Sequence, residues 1–211
     1  MDTSGVTRGS DQSGEDFYGA DFGESRSLQG VVFRGANLAR TSFSRGYLDP
    51  TEVHTKHHLE NLLYSSNLSR CDFRNANLAG ANLFGCVLSL AVLTNANAAE
   101  AVFSRAKMEG IQGDGGGFKG AKFSGAILDN SSFVGASFAG AMFGSQTLGS
   151  ASKYEGEAVI GPASLRNCNL TAADFSQCEL SGVDFTGAIL DDAEFNGAIL
   201  NGAIMPSRWY S

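Results

Sequence analysis

A large apolar side chain returns at every fifth position through most of this chain, with a small residue two places before it, as in Ala76-Asn77-Leu78 and Ala81-Asn82-Leu83. Three runs carry the beat: Leu28 to Leu48, Leu63 to Leu148, and Leu165 to Met205. Of their 32 central positions 30 are Leu, Phe or Met, and 28 have a small residue two earlier. Fourteen of the fifteen phenylalanines lie on the beat, counting Phe17 and Phe22 in an offset N-terminal piece; Phe84 is the exception. A period of five suits neither ordinary element. On a helix, steps of five advance about 140° each and scatter the side chains around the axis. On a flat strand, steps of five alternate between faces. A chain that turns a corner every five residues keeps all of them inside, and stacked repeats are the architecture such periodicity signals.

The Ala-Asn-Leu and Ala-X-Phe pentads resemble the pentapeptide-repeat family, whose consensus is Ala-(Asp/Asn)-Leu-X-X. The likeness covers residues 15–205. It implies an all-β fold, a right-handed quadrilateral parallel β-helix with four pentads per coil and about eight coils. At the usual strand spacing that is a rod of roughly 40 Å. The implied fold places residues twenty apart in columns. Leu68, Leu88, Met108, Leu128 and Leu148 then share one column, and Phe103, Phe123 and Phe143 another. Phe175 falls on Phe195, Leu170 on Leu190 and Leu180 on Leu200. Each coil buries its interior only against its neighbours, so the unbroken columns argue for a single domain over 15–205. Residues 1–14 are expected to form a flexible tail, and residues 206–211 a C-terminal tail or cap.

Three interruptions stand out. Residues 49–62 (DPTEVHTKHHLENL) carry Asp49, Pro50 and Glu52 in a helix-start pattern, and a short inserted helix is expected there. That segment holds all three histidines, His54, His57 and His58. His54 and His58 share a helix face, yet no third zinc ligand of matching geometry is evident, so a solvated face is the expectation. Residues 111–117 (IQGDGGG) keep the beat, but Gly113 replaces the central Leu or Phe and is expected to leave a gap or dent between Leu93 and Phe133. The glycine run lacks the GxxxxGK[ST] pattern of a phosphate loop. Residues 149–164 slip the phase by two and are expected to form a surface loop.

The formal charge is −7, distributed as −3 over residues 1–62, +1 over 63–148, −1 over 149–164 and −4 over 165–211. An acidic chain is poorly suited to neutralising phosphates, so no direct nucleic-acid binding is expected. All four cysteines (Cys71, Cys86, Cys168 and Cys178) fall at the small inward position without a CxxC pair, which points to buried, unpaired thiols and to no metal. No stretch reaches the ~18–20 apolar residues of a membrane span. The N-terminal sixteen residues lack the apolar core of a secretory signal. The expected location is the cytoplasm, or a plastid stroma or thylakoid lumen if a transit segment has been removed.

No catalytic constellation is visible, and a rod filled by its own side chains leaves no interior pocket. The expectation is therefore a non-enzymatic repeat scaffold without a cofactor, binding an unidentified protein through its walls and insertions. The candidate contact residues are Val53, His54, His58 and Leu59 on the inserted helix, the acids Asp174, Glu179, Asp184 and Glu194, and the apolar Ile189, Ile199 and Trp209. The resemblance leaves two alternatives open. Some relatives regulate DNA gyrase, a type II topoisomerase, by imitating DNA, although this chain's near-neutral middle interrupts any acidic stripe. Others belong to photosynthetic organisms, which allows a subunit or assembly factor of a thylakoid complex.

Overall fold

Five residues are enough for one short rung and one turn, and every pentad divides in the same way. The computed structural model describes Thr3 and residues 5–22, 28–43, 66–148 and 158–209. The small residue and the central Leu or Phe point inward, and the residue between them points outward. The two residues after the centre make the corner. Most corners are closed by a hydrogen bond in which the amide three residues on donates to the central carbonyl, as Ala76 does to Phe73 (2.9 Å) and Ala81 to Leu78 (2.9 Å). The second corner residue has positive φ, for example Asn75 at 57° and Gly80 at 65°. That is the demand of a type II turn, and it accounts for the glycines and asparagines at this phase. The outward Asn or Asp accepts from the backbone two residues on. Ala79 donates to Asn77 Oδ1 (3.2 Å) and Arg74 to Asp72 Oδ1 (3.1 Å). An Asx turn thus explains why the repeat favours those two residues beside the centre.

Successive coils are joined by parallel rungs. The Leu78 amide donates to the Asn97 carbonyl (2.6 Å), and the Asn97 amide returns to the Ala76 carbonyl (2.9 Å). Four walls result. Wall one runs from Asn67 to Ile204, wall two from Asp11 to Ile189, wall three from Asp16 to Glu194 and wall four from Asp21 to Ile199. Among the described residues, walls two, three and four each contain eight rungs. The register is twenty residues through the middle and last runs, as Asn77 pairs with Asn97 and Asp174 with Glu194. It is 21 between the first two coils, where Asp11 pairs with Val32.

Several expectations change here. The expected tail over 1–14 is, across its described residues, part of the first coil: Asp11 pairs with Val32 and Val6 is buried. Buried apolar contact and a full set of rung bonds hold this segment despite its polar composition. The expected loop over 149–164 begins earlier and ends sooner. Gln146–Leu148 (β1) pairs antiparallel with Ala158–Ile160 (β2), and Ser164 is already back on wall one, beside Ile127. Leu148 therefore leaves its column, and Leu165 occupies that place, since the Leu128 amide donates to the Ser164 carbonyl. The excursion's residues 149–157 lie outside the described residues. So do residues 49–62, with the expected helix and with Val53, His54, His58 and Leu59.

One hydrophobic core runs from Val6 to Leu190. Its aromatic rings follow a simple rule. Rings in one column lie parallel: Phe103–Phe123 at 5.1 Å, Phe123–Phe143 at 4.6 Å, Phe138–Phe175 at 5.0 Å and Phe175–Phe195 at 5.2 Å. Rings in adjacent columns meet edge to face, as Phe133 and Phe138 do at 70°. Both arrangements are favourable for the ring quadrupole. The coil pitch imposes the first, and the square cross-section imposes the second. No gap forms at Gly113, because the Phe133 ring lies over it where a side chain would stand. The last coil is less well covered. Phe195, Leu200 and Met205 are only partly buried, and the Trp209 indole stands edge-on to Phe195 at 5.1 Å.

Candidate functional site

On such a rod a partner meets outward rung residues, corner residues and whatever the chain inserts at a corner. The two long interruptions are placed identically. Phe43 and Phe143 both occupy wall four. In a regular pentad the amide three residues on would close the corner. Here Ser66 donates to the Phe43 carbonyl (3.1 Å) and Ala163 to the Phe143 carbonyl (2.7 Å). Each interruption therefore replaces the same two-residue corner, the one leading from wall four to wall one, and the corner bond is preserved at its stem. Both stems rise from one edge of the rod.

Along the edge between the stems three successive corner residues are buried: Phe84, the phenylalanine off the beat, and Ser104 and Ser124 on the next two coils. The Ser104 hydroxyl has no hydrogen-bond partner. Ile160 from β2 packs onto the corner at Gly125, so closely that a Cβ there would lie 2.6 Å from Ile160 Cγ2. Flanking the corner, Lys107 is exposed on wall one and Lys122 on wall four, with Arg105 exposed at the corner itself. One rung further on, Ile127 and Met142 are each 39 % exposed.

The expected acidic and apolar contacts do not converge. Asp174 and Glu194 stack on wall three, as expected. Glu179 and Ile199 pair on wall four, Asp184 pairs with Ile204 on wall one, and Ile189 stands on wall two. Wall three continues upward through an amide ladder in which Asn97 donates to Asn77 (3.2 Å), Asn77 to Asn37 (3.3 Å) and Asn37 to Asp16 (2.9 Å). Burial pushes the Asp174 carboxyl up, but hydrogen bonds from the Ser176 backbone, the Ser176 hydroxyl and Ser137 outweigh it and hold the group below the usual range. Trp209, Arg208, Pro206 and Ile189 border an open groove of about 330 Å³ beside the final rung of wall two.

The cysteines are unpaired and buried. Burial raises all four thiols to about 12. Each donates to the central carbonyl of a pentad in the preceding coil, Cys71 to Leu28 (2.9 Å), Cys86 to Phe43 (3.4 Å), Cys168 to Leu128 (3.0 Å) and Cys178 to Phe138 (2.9 Å). A protonated thiol with a carbonyl partner is a packing group, not a nucleophile or metal ligand. Among the described residues no group of three His, Cys, Asp or Glu could hold a metal ion. None of their helices is long and apolar enough to cross a membrane.

The family model for pentapeptide repeats matches residues 63–89, 71–110, 118–145 and 163–205, in eight copies. The chain belongs to the pentapeptide-repeat family. No curated protein matches its sequence. Among solved pentapeptide-repeat and related structures, it is similar to trypsin-treated QnrB1, a plasmid-mediated fluoroquinolone resistance protein, at 16 % identity over 100 % of this chain and 88 % of that one, with a TM-score of 0.44. HetL of the cyanobacterium Nostoc, a protein involved in the regulation of heterocyst differentiation, is 23 % identical over 95 % and 89 %, with a TM-score of 0.25. A pentapeptide-repeat protein of the Arabidopsis thaliana thylakoid lumen is 26 % identical over 66 % and 69 %, also at 0.25.

The shared exit corner was missed in the sequence because the beat runs on through Leu48 and Leu148. One signal was present at the second exit: Gln146 stands where the repeat places a small inward residue.

Proposed function

We infer that this pentapeptide-repeat protein is a non-enzymatic scaffold that holds a protein partner along the edge between wall four and wall one. The observation that carries this reading is the common position of the two interruptions, whose stem bonds from Ser66 to Phe43 and from Ala163 to Phe143 replace the same corner. Insertions on a rigid frame are where binding residues concentrate. Two that rise from one edge can be engaged by one partner, whereas two on opposite walls could not.

The DNA-mimic alternative requires acids in line. Asp174 and Glu194 face one way, Glu179 a second and Asp184 a third. That spread favours the scaffold reading over a topoisomerase regulator, and a gyrase supercoiling assay with micromolar protein would reverse the preference if it showed inhibition.

The test is affinity purification from the native source with two baits, the full chain and a chain lacking residues 46–65. In the second bait Ser44 and Arg45 join Phe43 to Ser66 as an ordinary corner. A partner enriched by the first and lost by the second supports the reading. Identical partner sets would move the contact to a regular wall.

A further inference from the structure

The edge between the stems also gathers cations on an otherwise acidic chain. Arg34, Arg74 and Arg166 are each spent on a carboxylate, the first two on Asp72 and the third on Asp129. Arg105, Lys107 and Lys122 form no ion pair among the described residues. They stand around the edge on two successive coils, Arg105 at the corner and Lys107 on wall one of the first, and Lys122 on wall four of the next. Glu109, at the corner after Met108, accepts from Ser89 at 2.9 Å. Three unpaired cations thus gather where residues 63–148 carry +1 in a chain of −7. Exposed Ile127 and Met142 lie one rung beyond them, on the same two walls.

We propose that this edge docks an acidic protein segment whose carboxylates meet Arg105, Lys107 and Lys122 and whose apolar side chains rest on Ile127 and Met142. Charge complementarity selects the occupant. Three cations without acid partners on an acidic molecule favour a negatively charged ligand and speed its encounter. The flanking apolar pair distinguishes a protein segment from a bare polyanion. The rod is rigid here, since each of these residues sits on a rung or corner bonded on both sides, so the docking surface is preformed. This proposal rests on the scaffold reading and names the chemistry of its partner.

The probe is a fluorescein-labelled synthetic peptide alternating Glu and Leu, compared with polyglutamate and with a 20-base-pair DNA duplex. Anisotropy is measured with the full chain, with the double variant K107E/K122E, and with R70E/K119E, two exposed cations at corners of other edges, as the charge-matched control. Circular dichroism verifies that the exposed substitutions leave the fold intact. The expected result is binding of the mixed peptide above polyglutamate, weakened about tenfold or more by K107E/K122E and by 0.5 M salt, and unchanged by R70E/K119E. Three results would overturn the proposal: no binding of the peptide, equal weakening by R70E/K119E, or preference for the duplex. Sedimentation showing a dimer that K107E/K122E abolishes would overturn it in favour of a second copy of this chain. If the native partner needs residues 46–65 but tolerates K107E/K122E, the scaffold reading stands and this one fails.

Discussion

The Phe133 ring occupies the space that a side chain on Gly113 would fill, one coil below it on wall two. The pentad compensates twice more. Ile111 brings a large side chain to the small inward position, where it is buried, and a Cβ on Gly116 would lie 2.6 Å from the Phe118 ring. Volume removed at one place in the cross-section is returned at its neighbours, as close packing requires.

Replacing Gly113 with Ala should therefore destabilise the rod by about 1–3 kcal/mol through overpacking. The measurement is the denaturant midpoint of G113A, F133L and the double variant. The double variant should lose less than the sum of the singles, because the smaller side chain makes room. Simple additivity would contradict the contact.

Ser131 supplies a bond that the bulky Ile111 displaces. The Ile111 amide donates to Ser131 Oγ (3.0 Å), and the Ser131 hydroxyl donates on to the Met108 carbonyl (3.1 Å). The hydroxyl thus bridges a corner of the kind that most pentads close directly. S131A should strand two buried backbone groups at a cost of about 1–3 kcal/mol. Hydrogen exchange at the Ile111 amide should accelerate in S131A and stay slow in S131T.

Position along the rod should set the cost of losing a ring. Phe123 is fully buried between Phe103 and Phe143, and its truncation to Ala should cost about 3–5 kcal/mol. Phe195, half-buried under Trp209, should cost less. Thermal unfolding of F123A and F195A ranks the two; equal shifts would mean the last coil is as well covered as the middle.

Asp72 predicts an acid response. The Arg74 guanidinium, aided by Arg34 and the Arg74 amide, holds its carboxyl well below the usual carboxylate range, against the upward push of burial. A depressed folded value means that the ionised form favours folding. Its contribution is fully present above the unfolded value of about 3.9 and is lost as pH falls through the lower folded value. The pair is partly open to solvent, so the effect is modest and salt-sensitive. Urea midpoints of the parent chain and D72N should differ at pH 7, and the difference should be smaller at about pH 2.5, closing fully only below the depressed folded value. A constant difference at both pH values would refute the assignment.

The cysteines should be silent in the folded chain. With each thiol buried and raised to about 12, negligible thiolate exists at pH 8. Iodoacetamide followed by mass measurement should find no native modification and four additions in denaturant. Rapid native labelling of any one would place it outside the core.

Much of the interior was legible in advance. Leu68 to Leu128, Phe103 to Phe143 and Phe175 on Phe195 form the expected columns, because a twenty-residue coil has one way to bury a five-residue beat. The candidate site was less so. The wall shared by Asp174 and Glu194 could be read by counting twenty, but Glu179, Asp184 and Ile189 turned out to face three other directions. The edge formed by Arg105, Lys107 and Lys122 was overlooked because nothing in their spacing marks which corner the insertions leave.

By itself the sequence determined the cross-section: which side chains face inward, where the corners turn and why Asn or Asp precedes the centre. These are local matters of periodicity, turn stereochemistry and side-chain-to-backbone bonding. Only the tertiary structure decided the rest. Residues 5–14 join the first coil, Phe133 closes over Gly113, and both interruptions open at the corner after Phe43 and Phe143. Each depends on a partner one coil away, and stacking pairs residues 20, 21, 37 or 40 apart according to where the chain departs from the repeat.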